Sequence, residues 1–107
     1  MRPGDVVVGV LTGAVETKVR PAVAIASTTY LTERPDVLVG IVTTRSPNPL
    51  ASSDCALQDW RTAGLRAESY FRAYVLTIHR SELTIIGRLS DRDWKNVRAC
   101  VEAAIAK

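Results

Sequence analysis

The sequence is poor in the residues that most often bind metals or carry nucleophilic catalysis. It has one histidine, His79, and two cysteines, Cys55 and Cys100, among 107 residues. One histidine and two distant cysteines lack the spacing of a zinc site, and no Ser/His/Asp arrangement or phosphate-binding glycine loop is present. We therefore expect no metal or other cofactor. The two cysteines are expected to be free thiols in a reducing compartment, with a disulfide as the alternative.

Long apolar runs are missing as well. The N-terminal run at residues 6–11 follows the acidic Asp5 and is too short for a signal peptide or a membrane span. We therefore expect no membrane association and a cytoplasmic location. Fourteen Lys/Arg against eleven Asp/Glu give a formal charge of +3. This mild basic bias is compatible with a polyanionic partner but does not demonstrate one.

The sequence does contain a series of β-rich segments, and its length predicts one domain over residues 1–107. Strands are predicted at residues 6–11, 22–27, 37–43, 70–78 and 83–89. Loops are predicted at residues 12–19, 28–36 and 46–54, with a single helical turn at 59–65 that ends at Gly64. Gly40 inside the third strand predicts a bulge or a close backbone approach. The first three strands are predicted to form an antiparallel meander.

The C-terminal segment shows the clearest helical pattern. Ser90 is a natural N-cap, and Asp93 occupies the acidic position of a capping box. Apolar side chains recur at helical spacing on one face, at Trp94, Val97, Val101, Ala104 and Ile105. The predicted fold is therefore mostly β (α+β), a small antiparallel β-barrel with a C-terminal α-helix.

Two predicted strand ends share a basic and hydroxylated character. Arg20 precedes Pro21 at the mouth of the second strand, where proline is tolerated because it cannot donate to a ladder. Thr43 and Arg45 close the third strand. The start of one antiparallel strand lies beside the end of the next, so these side chains should meet at one rim. Guanidinium and hydroxyl groups there would suit a phosphate.

These segments resemble the MazF/PemK family of toxins in the same order along the chain. The residues that carry the resemblance are Gly4-Asp5-Val6-Val7, Arg20-Pro21-Ala22-Val23, Val42-Thr43-Thr44-Arg45, Thr77-Ile78 and Gly87-Arg88-Leu89-Ser90-Asp91. The resemblance implies an SH3-like β-barrel with a C-terminal helix. It also implies the toxin component of a type II toxin–antitoxin system, acting as a homodimer with a cognate antitoxin protein as partner.

The activity implied by the resemblance is sequence-selective, metal-independent endoribonuclease cleavage of single-stranded RNA. The 2′-hydroxyl of the RNA would attack the adjacent phosphate and leave a 2′,3′-cyclic phosphate and a 5′-hydroxyl. The family pattern places the catalytic pair at Arg20 and Thr43. The RNA-binding residues expected around them are Glu16, Lys18, Thr44 and Arg45. A guanidinium stabilises charge on the phosphorane oxygens, whereas the general base stays open between Glu16 and His79.

The sequence also departs from the family pattern. The loop at residues 12–19 is short, and the first strand lacks aromatic residues. Trp60, Tyr70 and Phe71 are the candidate base-stacking surfaces in their place, and the alternative, more common for aromatic residues in so small a domain, is that they belong to the core. One alternative is a non-enzymatic, gyrase-poisoning toxin of the CcdB kind, although the expected Trp-Gly-aromatic or Trp-Gly-Ile ending is absent. A second alternative is an inactive module of the same fold.

Overall fold

The computed structural model describes residues 1–12 and 17–106. The described residues form six β-strands, two α-helices and one 3-10 turn. In chain order these are β1 (Asp5–Thr12), β2 (Thr17–Ala24), α1 (Thr28–Glu33), β3 (Asp36–Thr43), β4 (Asp54–Leu57), β5 (Ser69–His79), the 3-10 turn (Arg80–Glu82), β6 (Thr84–Arg88) and α2 (Asp91–Ala104). None of the helices in the described ranges is long and apolar enough to cross a membrane.

The strands that the structure describes pair antiparallel in one curled sheet of order β4-β5-β3-β2-β1-β6. Neighbouring positions of β1, β2 and β3 confirm the predicted meander. The sheet forms a half-barrel, and α2 follows it in sequence and contacts β4 and β5. The predicted class, mostly β with a C-terminal helix, is confirmed.

Three predictions at element boundaries are wrong. Residues 28–33 form helix α1 rather than a loop, because Ser27 caps it by accepting a hydrogen bond from the Tyr30 backbone N–H at 3.1 Å. Strand β2 begins at Thr17, inside the loop predicted at 12–19. Strand β4 was missed because it has only four residues and is defined by its pairing with β5.

The two faces of the sheet carry separate apolar clusters, as strand alternation requires. One face packs Val23, Val42 and Phe71 against Val97 and Cys100 of α2. On the opposite face, β1, β2 and β3 contribute Val7, Leu11, Ala22, Ala24, Val37 and Val39, which pack with Leu31 of α1. The even-numbered positions of β2 and the odd-numbered positions of β3 therefore point away from α2.

Gly40 marks a close approach in the centre of the sheet. The β3–β5 register shifts between Gly40 and Ile41. A Cβ atom at residue 40 would clash with Cε1 of Phe71, so the buried ring occupies the space that a side chain would need. The predicted irregularity is present, but the extra residues lie on β5 rather than on β3, and the close approach at Gly40 is made by the ring of Phe71. The predicted turn at 59–65 also forms, with Ala63 N–H bonded to Asp59 O and φ of +88° at Gly64.

Helix α2 is fixed to the loop after β4 through its first turn. Ser90 caps the helix, and its Oγ accepts a hydrogen bond from the Asp93 backbone N–H at 3.3 Å. The fully buried Asp93 carboxylate does not complete the capping box by accepting a hydrogen bond from the Ser90 backbone N–H. It accepts hydrogen bonds from the backbone N–H groups of Gln58 (2.9 Å) and Asp59 (2.8 Å). The acid at the capping-box position therefore joins α2 to the strand layer.

We expect Asp93→Ala to lower the free energy of unfolding by about 3 kcal/mol, because two backbone donors lose their acceptor in the interior. Asp91→Ala, in the same turn but exposed, is the matched control and should cost less than about 1 kcal/mol. Urea unfolding followed by circular dichroism measures both. Equal losses for the two variants would contradict the assigned role of Asp93.

The lowered pKa of Asp59 predicts that the free energy of unfolding depends on pH in the acid range. The Arg92 guanidinium, followed by the Ser90 hydroxyl, holds the pKa of Asp59 at about 2 rather than 3.8. A lowered pKa in the folded state stabilises the fold above the unfolded pKa and ceases to do so as the carboxylate is protonated. The stability difference between wild type and Asp59→Asn should therefore shrink as the pH falls from 3.8 to about 2.

Urea midpoints measured across that pH range test the prediction. Arg92→Gln removes both recorded guanidinium contacts with Asp59, at 2.7 and 2.6 Å. In that background the Asp59→Asn difference should lose most of its pH dependence. A difference that stays constant from pH 4 to pH 2 in the wild-type background would refute the assignment.

Candidate functional site

A small pocket lies where β2 and β3 separate. The recorded β2–β3 pairs are Ala24–Val39, Val23–Gly40 and Ala22–Ile41, and the next residue of β2 is Pro21, which has no N–H to continue the ladder. The opening beyond this point has a volume of about 200 Å³. It is lined by Lys18, Val19, Arg20, Pro21, Val42, Thr43 and Thr44. We call it the Arg20 pocket.

The backbone of Arg20 is held by strand β1, and its side chain lines the pocket on the side towards β3. Strand β1 pairs with β2 through Val8–Pro21 and Gly9–Arg20, so the backbone of Arg20 is held in the sheet. Its side chain is half-buried. Its Nε is buried and has no hydrogen-bond partner among the described residues. Because a buried donor without an acceptor is costly, Arg20 presents an N–H that an anion entering the pocket would satisfy.

Thr43 stands across the pocket from Arg20. Continuing the β2–β3 register by two residues from Ala22–Ile41 places Arg20 opposite Thr43, on the sheet face away from α2. The Thr43 Oγ1 accepts a hydrogen bond from the Arg45 backbone N–H at 3.2 Å. Its hydroxyl hydrogen remains available for an acceptor such as a phosphate oxygen. The two residues can therefore donate to one anion from opposite sides.

A second, larger groove adjoins the pocket and shares Thr43 with it. It has a volume of about 500 Å³. Its lining consists of Thr43, residues 45–49, Ala51, Asp54 and Arg72. We call it the Arg72 groove. Among the described residues that line the two cavities, four are basic (Lys18, Arg20, Arg45 and Arg72) and one is acidic (Asp54). The balance of charge at this rim favours an anionic ligand.

The predicted site residues are placed as follows. Lys18, Arg20, Thr43 and Thr44 come together in the Arg20 pocket, whereas Arg45 lines the adjoining groove. Glu16 lies outside the described residues.

Two further candidates, Phe71 for base stacking and His79 for proton transfer, do not lie at the Arg20 pocket. Phe71 is completely buried, so its predicted role in base stacking is wrong. His79 pairs with Asp36 at the far end of β3 from Thr43, roughly 20 Å away at about 3.3 Å per residue. His79 of the same chain therefore cannot act as the base at Arg20.

The cysteines do not supply a nucleophile at this rim. Both are free thiols. Burial, followed by a hydrogen bond with Cys100, raises the pKa of the Cys55 thiol to about 12. Burial also raises the pKa of Cys100. A thiol of raised pKa is not a thiolate at neutral pH. Within the described ranges, no three His, Cys, Asp or Glu side chains cluster as metal ligands would.

The sequence-based predictions miss Arg72 and Asp54. These residues are opposite each other in the β4–β5 ladder, and Arg72 Nε lies 3.6 Å from Asp54 Oδ1. No local motif marks them, because Asp54 ends the loop predicted at 46–54 and the pairing joins positions 18 residues apart in sequence. The pattern of alternating residues on β5 was the available signal, but the partner strand was not recognised.

Comparison with known proteins identifies relatives of the fold. No curated protein sequence matches the chain. Solved structures with the same fold include an endoribonuclease from a mycobacterial species in complex with its cognate antitoxin (TM-score 0.77, 16% identity, 97% of this chain and 93% of that chain). The toxin MazF-mt6 of Mycobacterium tuberculosis has a TM-score of 0.75 at 18% identity, with 94% of each chain covered. MazF of Deinococcus radiodurans gives 0.75 at 15% identity, covering 97% and 94%.

The sequence also matches a family model directly. A model of the PemK-like, MazF-like toxins of type II toxin–antitoxin systems matches residues 2–105, which includes every residue of the Arg20 pocket and the Arg72 groove. The resemblance of the ordered segments from Gly4 to Asp91 is therefore confirmed, and the chain belongs to the PemK-like, MazF-like family of toxins of type II toxin–antitoxin systems.

Proposed function

We propose that this toxin is an endoribonuclease that cleaves single-stranded RNA at the Arg20 pocket. The observation that carries the proposal is the buried Arg20 Nε, a hydrogen-bond donor without a partner among the described residues, placed opposite the Thr43 hydroxyl. Mycobacterial proteins of the same fold are described as endoribonucleases. The proposed substrate is messenger RNA, so the toxin would act in the cytoplasm and inhibit translation and growth.

The proposed reaction uses the RNA's own 2′-hydroxyl as nucleophile. Its oxygen attacks the adjacent phosphorus, the bond to the 5′ oxygen breaks, and the products are a 2′,3′-cyclic phosphate and a 5′-hydroxyl. Solvent water accepts the proton of the 2′-hydroxyl and supplies a proton to the departing 5′ oxygen, so that no net proton is consumed. Arg20 donates to the phosphorane oxygens, where negative charge develops, and Thr43 donates its hydroxyl to a non-bridging oxygen. The reaction needs no metal ion in this scheme.

The partner we propose is a cognate antitoxin with an acidic segment. The MazE–MazF complex of Deinococcus radiodurans and the mycobacterial endoribonuclease–antitoxin complex share this fold. A flexible acidic segment could fold across the basic rim around Thr43 and exclude RNA. When the antitoxin is absent, we propose that RNA binds to Lys18, Thr44 and Arg45 along this rim. For Glu16, the proposed RNA-binding role rests on the family resemblance alone.

We also propose that the toxin is a homodimer. Val10 and Val19 are directly opposite each other in the β1–β2 ladder, and they are 65% and 67% exposed. Such paired apolar side chains on a sheet surface favour coverage by another protein surface. A second copy of the chain is the occupant that the family resemblance implies.

Arg20→Ala should keep the fold and lower RNA cleavage by at least about 100-fold, the typical effect of removing one donor to a developing oxyanion. The assay is end-mapping on a long RNA in the presence of EDTA, in which wild type should remain active and leave 2′,3′-cyclic phosphate ends. Thr43→Val should also lose activity, whereas Thr43→Ser keeps the hydroxyl. Arg98→Ala, an exposed arginine on α2, is the matched control.

Undiminished cleavage by Arg20→Ala would remove the assigned site. Intact RNA together with inhibition of DNA gyrase by wild type would favour the CcdB-like alternative. Wild type that shows neither activity and does not arrest growth on expression would favour the inactive module. Circular dichroism of each variant ensures that a loss of cleavage does not result from unfolding.

Val10→Glu/Val19→Glu should shift a homodimer towards monomer, because four carboxylates would be buried where the two copies meet. Sedimentation velocity at several protein concentrations measures the change. Ile105→Glu is the control, since Ile105 is 59% exposed at the end of α2, outside the β1–β2 pair. A dimer that persists unchanged in the double variant would exclude this surface.

A further inference from the structure

The Arg72 groove has no part in the chemistry assigned to Arg20 and Thr43, yet it opens directly beside them. Thr43 lines both cavities, so the groove is open to the part of a ligand that extends beyond a phosphate in the Arg20 pocket. The volume of about 500 Å³ lies within the usual range for small-ligand sites. The groove is therefore large enough to hold part of a substrate that extends beyond the scissile bond.

Strand register places Arg72 close to Thr43 on the same face of the sheet. Thr43 is opposite Tyr70 on β5, and Arg72 is two residues further along that strand, opposite Ile41. Diagonal neighbours of this kind have Cβ atoms about 7–8 Å apart. Neighbouring phosphates of one RNA strand bridge a distance of this order. Arg72 is thus one nucleotide step from the phosphate that Thr43 would contact.

Asp54 forms an ion pair with Arg72 in the lining of the groove. The Asp54 side chain is 8% exposed, whereas that of Arg72 is 46% exposed. Arg72 Nε lies 3.6 Å from Asp54 Oδ1, and Asp54 Oδ2 accepts a hydrogen bond from the Ala51 backbone N–H at 3.1 Å. Within the described part of the chain, the ion pair of Arg72 with Asp54 is made through Nε of the guanidinium. An arginine anchored in this way loses less entropy when it binds an anion.

We infer that the Arg72 groove is a nucleotide subsite in which Arg72 binds an RNA phosphate adjacent to the scissile one and Asp54 positions Arg72. The inference rests on the proposed endoribonuclease function and adds a substrate contact to it. Arginine's paired N–H donors match phosphate oxygens. Because the contact is made to a phosphate that does not react, it contributes equally to substrate and transition-state binding.

Arg72→Ala should therefore raise the KM for RNA about tenfold and leave kcat within about twofold of wild type. Affinity for RNA is measured separately by fluorescence anisotropy with an oligonucleotide that spans a mapped cleavage site and has a 2′-deoxy nucleotide at the cleaved position, which removes the nucleophile. The slope of log affinity against log salt should fall by about 0.7 when one phosphate contact to a single strand is lost. Arg98→Ala, with the same change in charge on the opposite face, should match wild type within about twofold.

Neutral methylphosphonate linkages, introduced one at a time, locate the contact. For wild type, the linkage next to the scissile phosphate should reduce affinity about tenfold when neutralised. Arg72→Ala should be insensitive at that linkage and remain sensitive at the scissile one. Asp54→Asn should partly reproduce this loss of sensitivity, a result that general destabilisation of the fold would not give. Thermal unfolding of each variant confirms that it is folded at the assay temperature.

Equal affinities of Arg72→Ala and Arg98→Ala would overturn the inference. So would a weaker Arg72→Ala that keeps the wild-type sensitivity at every linkage, because Arg72 would then act through long-range attraction alone. The proposed function fails separately. If Arg20→Ala still cleaves RNA, the catalytic assignment is lost, whereas the anisotropy measurements, made without cleavage, still decide whether Arg72 binds a flanking phosphate.

Discussion

Pro21 lacks an amide hydrogen, and this single missing donor shapes the candidate site. The recorded β2–β3 pairs stop at Ala22–Ile41, whereas β2 stays paired with β1 through Arg20. Arg20 is consequently held rigidly from one side and faces an opening on the other. An unbroken ladder would fill that opening with interstrand hydrogen bonds. The position of the proline thus leaves a cleft at the end of the β2–β3 ladder, beside the half-buried side chain of Arg20.

Helix α2 packs on one face of the sheet, and the candidate site lies on the other. Helix α2 packs Val97 and Cys100 on one face, and the buried Asp93 carboxylate ties its first turn to the backbone after β4. Arg20 and Thr43 lie on the opposite face, at the edge of the cluster that includes Leu31 of α1. The helix therefore supports the strands that position the site without competing for the space that a substrate would occupy. Substitutions on the solvent-exposed side of α2 should therefore have little effect on the position of Thr43.

How much was predictable from the sequence depended on the range of the interaction. Local rules were sufficient for the Ser90 cap and for the strand that contains Val37–Thr43, since each is encoded within a few residues. The placing of Arg20 beside Thr43 needed only the alternation of adjacent antiparallel strands. Strand β4 and the Asp54–Arg72 pair were not predictable in this way, because a four-residue edge strand is recognised by its partner rather than by its own composition. Helix α1 was not predicted because Arg34-Pro35 favours a loop over residues 28–36 and the helix has only six residues.

The segment between Thr43 and Asp54 is joined to a strand at each end and contributes no residue to the apolar core. Thr43 closes β3, Asp54 opens β4 and pairs with Arg72, and the intervening residues are mostly exposed. Side chains 45–49 line the Arg72 groove but take no part in either apolar cluster. This segment can therefore change in sequence without loss of the core. Under the proposed function, exchange of this loop would change the contacts that the Arg72 groove offers to RNA and leave Arg20 and Thr43 unaltered.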